Sequence, residues 1–373
     1  MKRLGFLALS AAAGLTLASC GGGADKLVIL NWGEYISEDV EAAFEAEYGV
    51  EVDVITTDSN EQMYTNVVNR IAEYDLVVPS DYMIHQMYEN DLLLEIDFTK
   101  LTNYKEDIFV SELQQLMDSD DCKVYQGYYV PYFWGSLGIM YNTKNFAGTE
   151  AAVLEHGWDV LFDHDLLPAG AKVGMYNSSR DALAAAELKL GYSLNTKNKA
   201  EIDACMDLLK STTFEEFGTD NLKLNVSKGN LDVALVYSGD FFDAFYADME
   251  TDEDNLDNYS IYAPTDNNNV FFDGLVIPNT CTDVDMAHNF INFMLEHENS
   301  YNNAEFVGYC PTVQSVYDEI MSDEENWGDV IAIDAYDPAK IVNAPNSKAE
   351  VYSHLGAETY EYIENKFTGV LIR

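Results

Sequence analysis

The sequence has few basic residues. It carries 20 lysines and arginines against 65 aspartates and glutamates, which gives a formal net charge of −45 at pH 7. So acidic a surface repels nucleic acid and anionic lipid, and it concentrates cations near the protein. Much of this charge serves solubility alone. Composition therefore argues against a nucleic-acid partner but does not identify a ligand.

Sequence motifs for metal or nucleophilic chemistry are also missing. The six histidines form no H-E-x-x-H pattern, and no G-x-S-x-G segment is present. The glycine run 21–23 precedes a predicted strand rather than a helix, so it does not cradle a phosphate. We therefore expect no enzyme, no cofactor and no metal site. A glycoside hydrolase with paired carboxylates stays open in so acidic a chain.

Cysteine is scarce, with five in 373 residues. Four of them lie beyond the N-terminal segment, at Cys122, Cys205, Cys281 and Cys310, and their spacings match no zinc pattern such as C-x-x-C. An even number of cysteines is compatible with disulfide pairing in an oxidising location. Reduced thiols and one disulfide are equally compatible with this pattern, and we assign no bridge.

The N-terminal segment predicts export. Lys2 and Arg3 precede an apolar stretch over 4–18 that is too short to span a bilayer, so residues 1–19 are expected to be a signal peptide. No later stretch is long and apolar enough to be a transmembrane helix. The mature protein is therefore expected outside the cytoplasm.

This segment ends in Leu-Ala-Ser-Cys, with the cysteine at Cys20, and so resembles a bacterial lipobox. The resemblance implies cleavage before Cys20 and lipid attachment to its thiol, with several acyl chains holding the protein at the outer face of the cytoplasmic membrane. Residues 20–24 would then be the lipidated cysteine and a glycine-rich tether. An ordinary cleaved signal that happens to contain Cys20 remains the alternative.

The first part of the mature chain alternates between strand and helix patterns. Ser37 and Ser59 are each expected to cap a helix, and Gly49 to end the first one. Strands are predicted at 26–30, 50–55 and 76–78. This β-α-β-α-β order is half of a doubly wound α/β sheet.

The later chain repeats this organisation. Strands are predicted at 173–176 and 231–237, each followed by polar residues and a helix, and a late helix is predicted at 352–367. A further apolar strand at 270–278 contains Asp273. An isolated buried charge is very costly, so Asp273 is either a binding residue or a solvated residue at a sheet edge.

Aromatic and acidic side chains follow two of the predicted strands. Asn-Trp-Gly-Glu-Tyr occupies 31–35, and Val-Pro-Ser-Asp-Tyr occupies 78–82. Ligands of open α/β sheets bind at the carboxyl ends of the strands. Tryptophan, tyrosine and carboxylates at these ends predict a pocket for an organic cation.

Six motifs in order resemble the bacterial spermidine/putrescine-binding proteins of ABC importers. They are the two strand-end motifs, Pro-Tyr-Phe-Trp-Gly at 131–135, Leu-Gly-Tyr-Ser at 190–193, Phe-Asp-Gly at 272–274 and Gly-Tyr at 308–309. The resemblance implies the type II periplasmic-binding-protein fold, in which a hinge joins two Rossmann-like lobes. It places the first lobe at 25–136 and 272–314 and the second at 137–271 and 315–373.

The resemblance also implies function and a binding site. A monomer would capture spermidine or putrescine between the lobes and deliver it to permease subunits in the membrane. Trp134 and Phe272 are expected to be core residues instead. The implied ligand-binding residues are Trp32, Glu34, Tyr35, Ser80, Tyr82, Asp181, Tyr237, Phe271, Asp273, Tyr309 and Tyr352.

Several of these residues depart from the family pattern. Asp181 stands where the family has Glu, and Tyr237 and Phe271 where it has Trp. Ser178 stands where a second acid is expected, and Tyr352 where Gln is expected. The loss of one carboxylate leaves the choice between spermidine and putrescine open. A receptor for another small organic cation and a lipoprotein sensor also remain alternatives.

Lipidation of Cys20 is directly testable. We expect Cys20→Ala to abolish labelling by a fatty-acid probe and to release the protein from the membrane fraction, because the thiol that carries the lipid is gone. Cys281→Ala is the matched control and should keep both properties. A Cys20→Ala protein that still labels and stays membrane-bound would show that the anchor lies elsewhere.

Overall fold

The computed structural model describes residues 26–372. The predicted signal peptide, Cys20 and the tether lie outside this range. No helix within it is long and apolar enough to cross a membrane. The strands β1–β10 are Lys26–Asn31, Glu51–Thr56, Leu76–Val77, Val130–Asn142, Val173–Tyr176, Glu216–Gly218, Val233–Tyr237, Tyr259–Tyr262, Val270–Leu275 and Cys310–Pro311.

The described residues are otherwise largely helical, with short 3₁₀ turns between the longer elements. The helices α1–α16 are Glu38–Tyr48, Asn60–Val68, Asp81–Glu89, Ser111–Met117, Asp120–Lys123, Thr149–His156, Ser179–Leu190, Lys199–Ser211, Asn221–Ser227, Ser238–Thr251, Val284–Met294, His297–Val307, Gln314–Ser322, Glu324–Ile331, Ala339–Val342 and Ala357–Leu371.

The first sheet has the predicted β-α-β-α-β connectivity. Its three strands are parallel in the order β2-β1-β3, with α1 and α2 as the connections. Gly49 ends α1 in the left-handed conformation, at φ 71°, as expected for a glycine C-cap. The Ser59 hydroxyl accepts a hydrogen bond from the Gln62 backbone N–H and caps α2 (3.1 Å).

The predicted side-chain cap at Ser37 is wrong. Ser37 does occupy the N-cap position of α1, but its hydroxyl makes no capping hydrogen bond. Its backbone N–H instead donates to Asn303 Oδ1 at 2.9 Å. A tertiary contact therefore fixes this turn, which sequence pattern alone does not reveal.

The long strand β4 connects the two halves of the molecule. Its residues 130–136 pair antiparallel with β9, and β10 also pairs with this part. Its residues 137–142 pair with β7 and β8. The pairing partners change between Ser136 and Leu137. The division of the chain into lobes stays a prediction.

A second set of strands mirrors the first. β5 runs parallel to β6 and β7, and α7 and α10 follow directly after β5 and β7. Trp134 and Phe272 are fully buried, as predicted for core residues. Two isolated bridges, between Val77 and Val276 and between Ser80 and Asp273, bring β9 beside the end of β3.

The last helix starts later than its sequence pattern predicts. It begins at Ala357 rather than Tyr352, after Gly356 adopts φ 82°. That positive φ combined with an extended ψ of 149°, a backbone conformation open mainly to glycine, separates the helix from the segment before it. Tyr352 consequently lies in non-helical chain. Within residues 26–372, no disulfide joins the four cysteines.

Candidate functional site

A cleft of about 880 Å³ lies at the carboxyl ends of the strands of both sheets. All eleven residues named from the sequence line it, and so does Ser178. They come from strands, from loops and from the first turns of two helices, and they lie up to 320 positions apart along the chain. The structure therefore brings the predicted set together in one place. Their role in holding a ligand remains a prediction.

The loop after β1 is held by hydrogen bonds that orient Trp32 and Tyr35. The Trp32 indole N–H donates to the Val78 carbonyl (2.8 Å). The Tyr132 hydroxyl donates to the Tyr35 carbonyl (2.7 Å), and the Asn303 side-chain amide donates to that same hydroxyl (2.8 Å). The two rings are thus positioned before any ligand arrives, which lowers the ordering cost of binding.

Asp273 is a buried carboxylate on the first side of the cleft. It is 5% exposed, and its Oδ2 accepts a hydrogen bond from the Tyr35 hydroxyl at 2.6 Å. Its Oδ1 is buried, and no residue in the described range hydrogen-bonds to it. Burial raises the pKa of Asp273 to about 6, although the neighbouring Ser80 and Tyr35 hydroxyls favour its ionised form. The alternative of a solvated edge residue is therefore wrong.

Ser80 and Glu34 occupy different surroundings on this side. Asn60 exchanges two hydrogen bonds of 3.0 Å with Ser80, one to its hydroxyl and one from its backbone N–H. This pairing fixes Ser80 beside Asp273. Glu34 is exposed and sits at φ 53°, a conformation uncommon outside glycine.

Asp181 is the buried carboxylate on the opposite side. It lies in the first turn of α7 and is 5% exposed. Its Oδ1 accepts hydrogen bonds from the hydroxyls of Tyr237 (2.7 Å) and Tyr352 (3.2 Å). Burial raises the pKa of Asp181, while these hydroxyls, Ser178 and the charge of Arg180 act against the rise.

Ser178 has a structural role at this position. It is the N-cap of α7, and its hydroxyl accepts a hydrogen bond from the Asp181 backbone N–H (3.3 Å). The cap holds the first turn that carries Asp181. The residue that replaces the expected second acid therefore still serves the site, through the neighbouring carboxylate.

Aromatic rings form a continuous wall between the two carboxylates. Edge-on contacts run from Tyr35 to Tyr309 (5.2 Å between ring centroids), on to Phe271 (6.2 Å) and on to Tyr237 (5.1 Å). Such contacts are favourable beyond simple area burial. They keep the ring faces fixed along the cleft. Gly239 lies under Tyr309, where an added Cβ would be 1.8 Å from the ring.

The charge of the cleft is overwhelmingly negative. Among the described residues that line it, Lys223 is the single basic side chain. The carboxyl side chains along it are Glu34, Asp58, Glu61, Asp81, Asp181, Asp220, Asp240, Asp243, Asp273 and Glu364. Low-dielectric walls lined by one sign of charge focus the potential, so the cleft attracts cations.

Comparison with known proteins gives the family. A model of the bacterial extracellular solute-binding proteins matches residues 40–328. The chain belongs to this family. Its members are solute-binding transport proteins, so this solute-binding protein is not an enzyme. The open glycoside-hydrolase alternative is thereby overturned.

Individual relatives cover most of the chain. It is 29% identical to the putrescine-binding periplasmic protein SpuD of Pseudomonas aeruginosa, over 80% of this chain and 82% of the relative. A solved spermidine/putrescine ABC transporter substrate-binding protein of Streptococcus pneumoniae is 30% identical, with a TM-score of 0.72, over 93% of this chain and 99% of that one.

A solved lipoprotein of Treponema pallidum is also similar. It is 25% identical, with a TM-score of 0.74, and the match covers 94% of this chain and all of that one. These likenesses confirm the two-lobed periplasmic-binding-protein fold. They place this solute-binding protein among extracellular and periplasmic receptors.

Sequence analysis missed several polar residues of the cleft. Glu61 accepts a hydrogen bond from the Tyr82 hydroxyl (3.1 Å), and Asp240 lies within hydrogen-bond distance of the Tyr176 hydroxyl (3.4 Å). Tyr176 is the last residue of β5, and Asp240 lies in the first turn of α10, three residues after the end of β7. Consistent use of the strand-end rule would have found both. Glu61 comes five residues after β2 and offered a weaker signal.

The hydrogen bond between Tyr35 and Asp273 makes a measurable prediction. Tyr35→Phe removes the donor that stabilises the ionised carboxylate, so the pKa of Asp273 should rise from about 6 to about 7. Titration of the carboxyl ¹³C signal by NMR, assigned with Asp273→Asn, measures it. Tyr317→Phe is the control, because Tyr317 donates to Asp337 instead. An unchanged or lower pKa in Tyr35→Phe would contradict the assigned bond.

Proposed function

We propose that this chain is the polyamine receptor of an ABC importer, which holds spermidine or putrescine in the cleft. The observation that carries the proposal is the buried Asp273 carboxylate, whose Oδ1 accepts no hydrogen bond from the described residues. A buried carboxylate of this kind is costly until a cation pairs with it. A ligand ammonium provides the missing partner.

The second carboxylate supports a ligand with more than one ammonium group. Asp181 faces the cleft from the other side and is held by neutral hydroxyls. Two carboxylates at fixed positions select ligands whose charges have the matching separation, through charge-assisted hydrogen bonds. A polyamine presents ammonium groups separated by methylene chains of fixed length.

The aromatic wall suits the rest of such a ligand. The rings of Trp32, Tyr35, Tyr309 and Phe271 line the space between the two acids. Ring faces cover methylene groups and attract ammonium ions, at about 0.5–2 kcal/mol for each good contact. A ligand that was cationic but lacked the methylene chain would use only part of this surface.

The comparisons support the same ligand class. The Pseudomonas aeruginosa relative is named for putrescine, and the Streptococcus pneumoniae structure for spermidine and putrescine. The Streptococcus pneumoniae protein is named as the substrate-binding protein of an ABC transporter, which supports delivery of the ligand to permease subunits. The lipobox-like ending at Cys20 and the similar Treponema pallidum lipoprotein support a lipid anchor at the outer face of the membrane.

Asp273→Asn tests the anchor residue of this proposal. Asparagine has nearly the same volume, so the fold should persist while the ion pair with the ligand is lost. Removing one partner of a buried, hydrogen-bonded charge pair costs about 2–5 kcal/mol. The Kd for spermidine should therefore rise about thirty-fold to a few thousand-fold in calorimetric titration.

Asp254→Asn is the matched control, because Asp254 is an exposed acid outside the cleft lining. It should leave the affinity nearly unchanged. A folded Asp273→Asn protein that binds spermidine within about two-fold of the wild type would remove Asp273 from the site. Failure of the wild type to bind any polyamine would overturn the proposed function itself.

The raised pKa of Asp273 predicts the pH dependence of binding. The carboxyl has a pKa of about 6 in the free protein, and the ligand cation requires its ionised form. Binding should therefore be tightest above pH 6 and weaken by up to about tenfold per pH unit below it. Burial also raises the pKa of Asp240 to about 6. That residue can steepen the profile.

Titrations at pH 7.5, 6.5 and 5.5, repeated in two buffers of different ionisation enthalpy, measure both the affinity and the protons released. In Asp273→Asn the profile should be flatter, because one titrating group has been removed. A wild-type affinity that stays constant down to pH 5 would contradict an ion pair with Asp273.

A further inference from the structure

One end of the cleft carries a positive charge of its own. Lys223 lies on α9, and its side chain is 12% exposed. Its ammonium nitrogen is 2.7 Å from Asp243 Oδ2 and 3.9 Å from Asp240 Oδ1. All three residues line the same cleft as Asp181 and Asp273.

Asp240 is placed as a further carboxylate of the site. It is 8% exposed, and its Oδ2 accepts from the Tyr237 backbone N–H (3.3 Å) and lies 3.4 Å from the Tyr176 hydroxyl. The Tyr237 side chain at the same turn donates to Asp181. Tyr237 therefore bonds Asp240 through its backbone N–H and Asp181 through its hydroxyl.

The same residue is also close to the first side of the cleft. The Tyr309 ring lies directly over Gly239, the residue before Asp240. That ring contacts Tyr35, whose hydroxyl donates to Asp273. Burial raises the pKa of the Tyr309 hydroxyl, and the charges of Asp240 and Asp273 raise it further. The charges of both Asp240 and Asp273 therefore act on the Tyr309 hydroxyl.

We propose that Lys223 is a specificity-determining residue, whose ammonium group occupies the Asp240–Asp243 end of the cleft in place of a ligand ammonium. The inference rests on the proposed function and adds to it the number of ligand charges that the cleft accepts. Two ligand ammonium groups are accommodated by Asp273 and Asp181. A third that reached Asp240 would meet a like charge.

The physical basis is competition between an internal and an external cation. A tethered ammonium has no translational freedom to lose, whereas a ligand ammonium pays part of that cost on binding. The Lys223 charge also repels any second cation brought within a few ångströms, and the buried location limits screening by salt. The resident lysine therefore favours diamines over longer polyamines with a further ammonium.

Lys223→Met tests this directly, because methionine keeps much of the lysine stem and removes the charge. We expect the spermidine affinity to increase about tenfold more than the putrescine affinity, since only the triamine gains a charge-assisted contact. Calorimetric titration of both ligands gives the ratio of the two Kd values. Lys223→Arg, which keeps the cation, should retain the preference of the wild type for the diamine.

The control is Lys189→Met, because Lys189 pairs with Asp159 (2.9 Å) outside the cleft lining. It should leave the ratio unchanged. Should Lys223→Met fail to fold by circular dichroism, Lys223→Gln is neutral but can still donate to Asp243, and the same ratio is expected to shift.

The outcomes separate the two proposals. A wild type that binds polyamines, together with neutral Lys223 variants whose ratio stays within about two-fold of it, overturns the role of Lys223 and leaves the receptor function intact. A wild type that binds neither ligand overturns the receptor function and this inference with it. A ratio that shifts toward spermidine in the neutral variants but not in Lys223→Arg supports the inference.

Discussion

Burying the Asp273 carboxylate away from water costs several kcal/mol unless a cation or a full set of donors compensates for it. The described part of the chain provides one strong donor, the Tyr35 hydroxyl, and leaves the second oxygen without a hydrogen bond. Burial raises the pKa of Asp273 to about 6, even though the Ser80 and Tyr35 hydroxyls favour its ionised form. A site built in this way is more stable when an external cation occupies it, and this is the property that a capture protein requires.

The described residues around the Asp273 and Asp181 carboxylates hold them rigidly without giving either of them an ion-pair partner. Neutral groups hold the acids: Tyr237 and Tyr352 bond Asp181, and Asn60 fixes Ser80 beside Asp273. The charge of the neighbouring Arg180 also favours the ionised form of Asp181, but no hydrogen bond within the described structure joins Arg180 to that carboxylate. Hydroxyl and amide donors orient an acid without competing for the ligand's charge. The edge-to-face rings add stiffness for the same purpose.

Lys223 is the one basic side chain among the described residues that line the cleft, and its position determines which carboxylates it pairs with. It offsets part of the negative charge of Asp240 and Asp243, and within the described part of the chain it forms no ion pair with Asp273 or Asp181. A cleft whose acids were all unpaired would bind any polycation of sufficient length. One internal cation limits how many ligand charges fit, so affinity and selectivity come from different parts of a single acidic surface.

The strand-helix alternation over 26–78 and the aromatic strand ends followed from sequence alone, because periodicity and strand-end chemistry are local properties. For Asp273 the sequence left a binding residue and a solvated edge residue as alternatives, and the tertiary structure decided for burial. The start of α16 did not follow from sequence, because the chain from Tyr352 to Gly356 is non-helical and the positive φ of Gly356 precedes the helix. The absence of a side-chain cap at Ser37 was not predictable either, because the Ser37 backbone N–H bonds the distant Asn303 side chain and the Ser37 hydroxyl makes no capping hydrogen bond. The pairing of Lys223 with Asp240 and Asp243 required the tertiary structure, because the distance between α9 and the first turns of α10 depends on how the two helices pack. Sequence determined which chemistry the cleft contains, and packing decided which of its charges remain unpaired for a ligand.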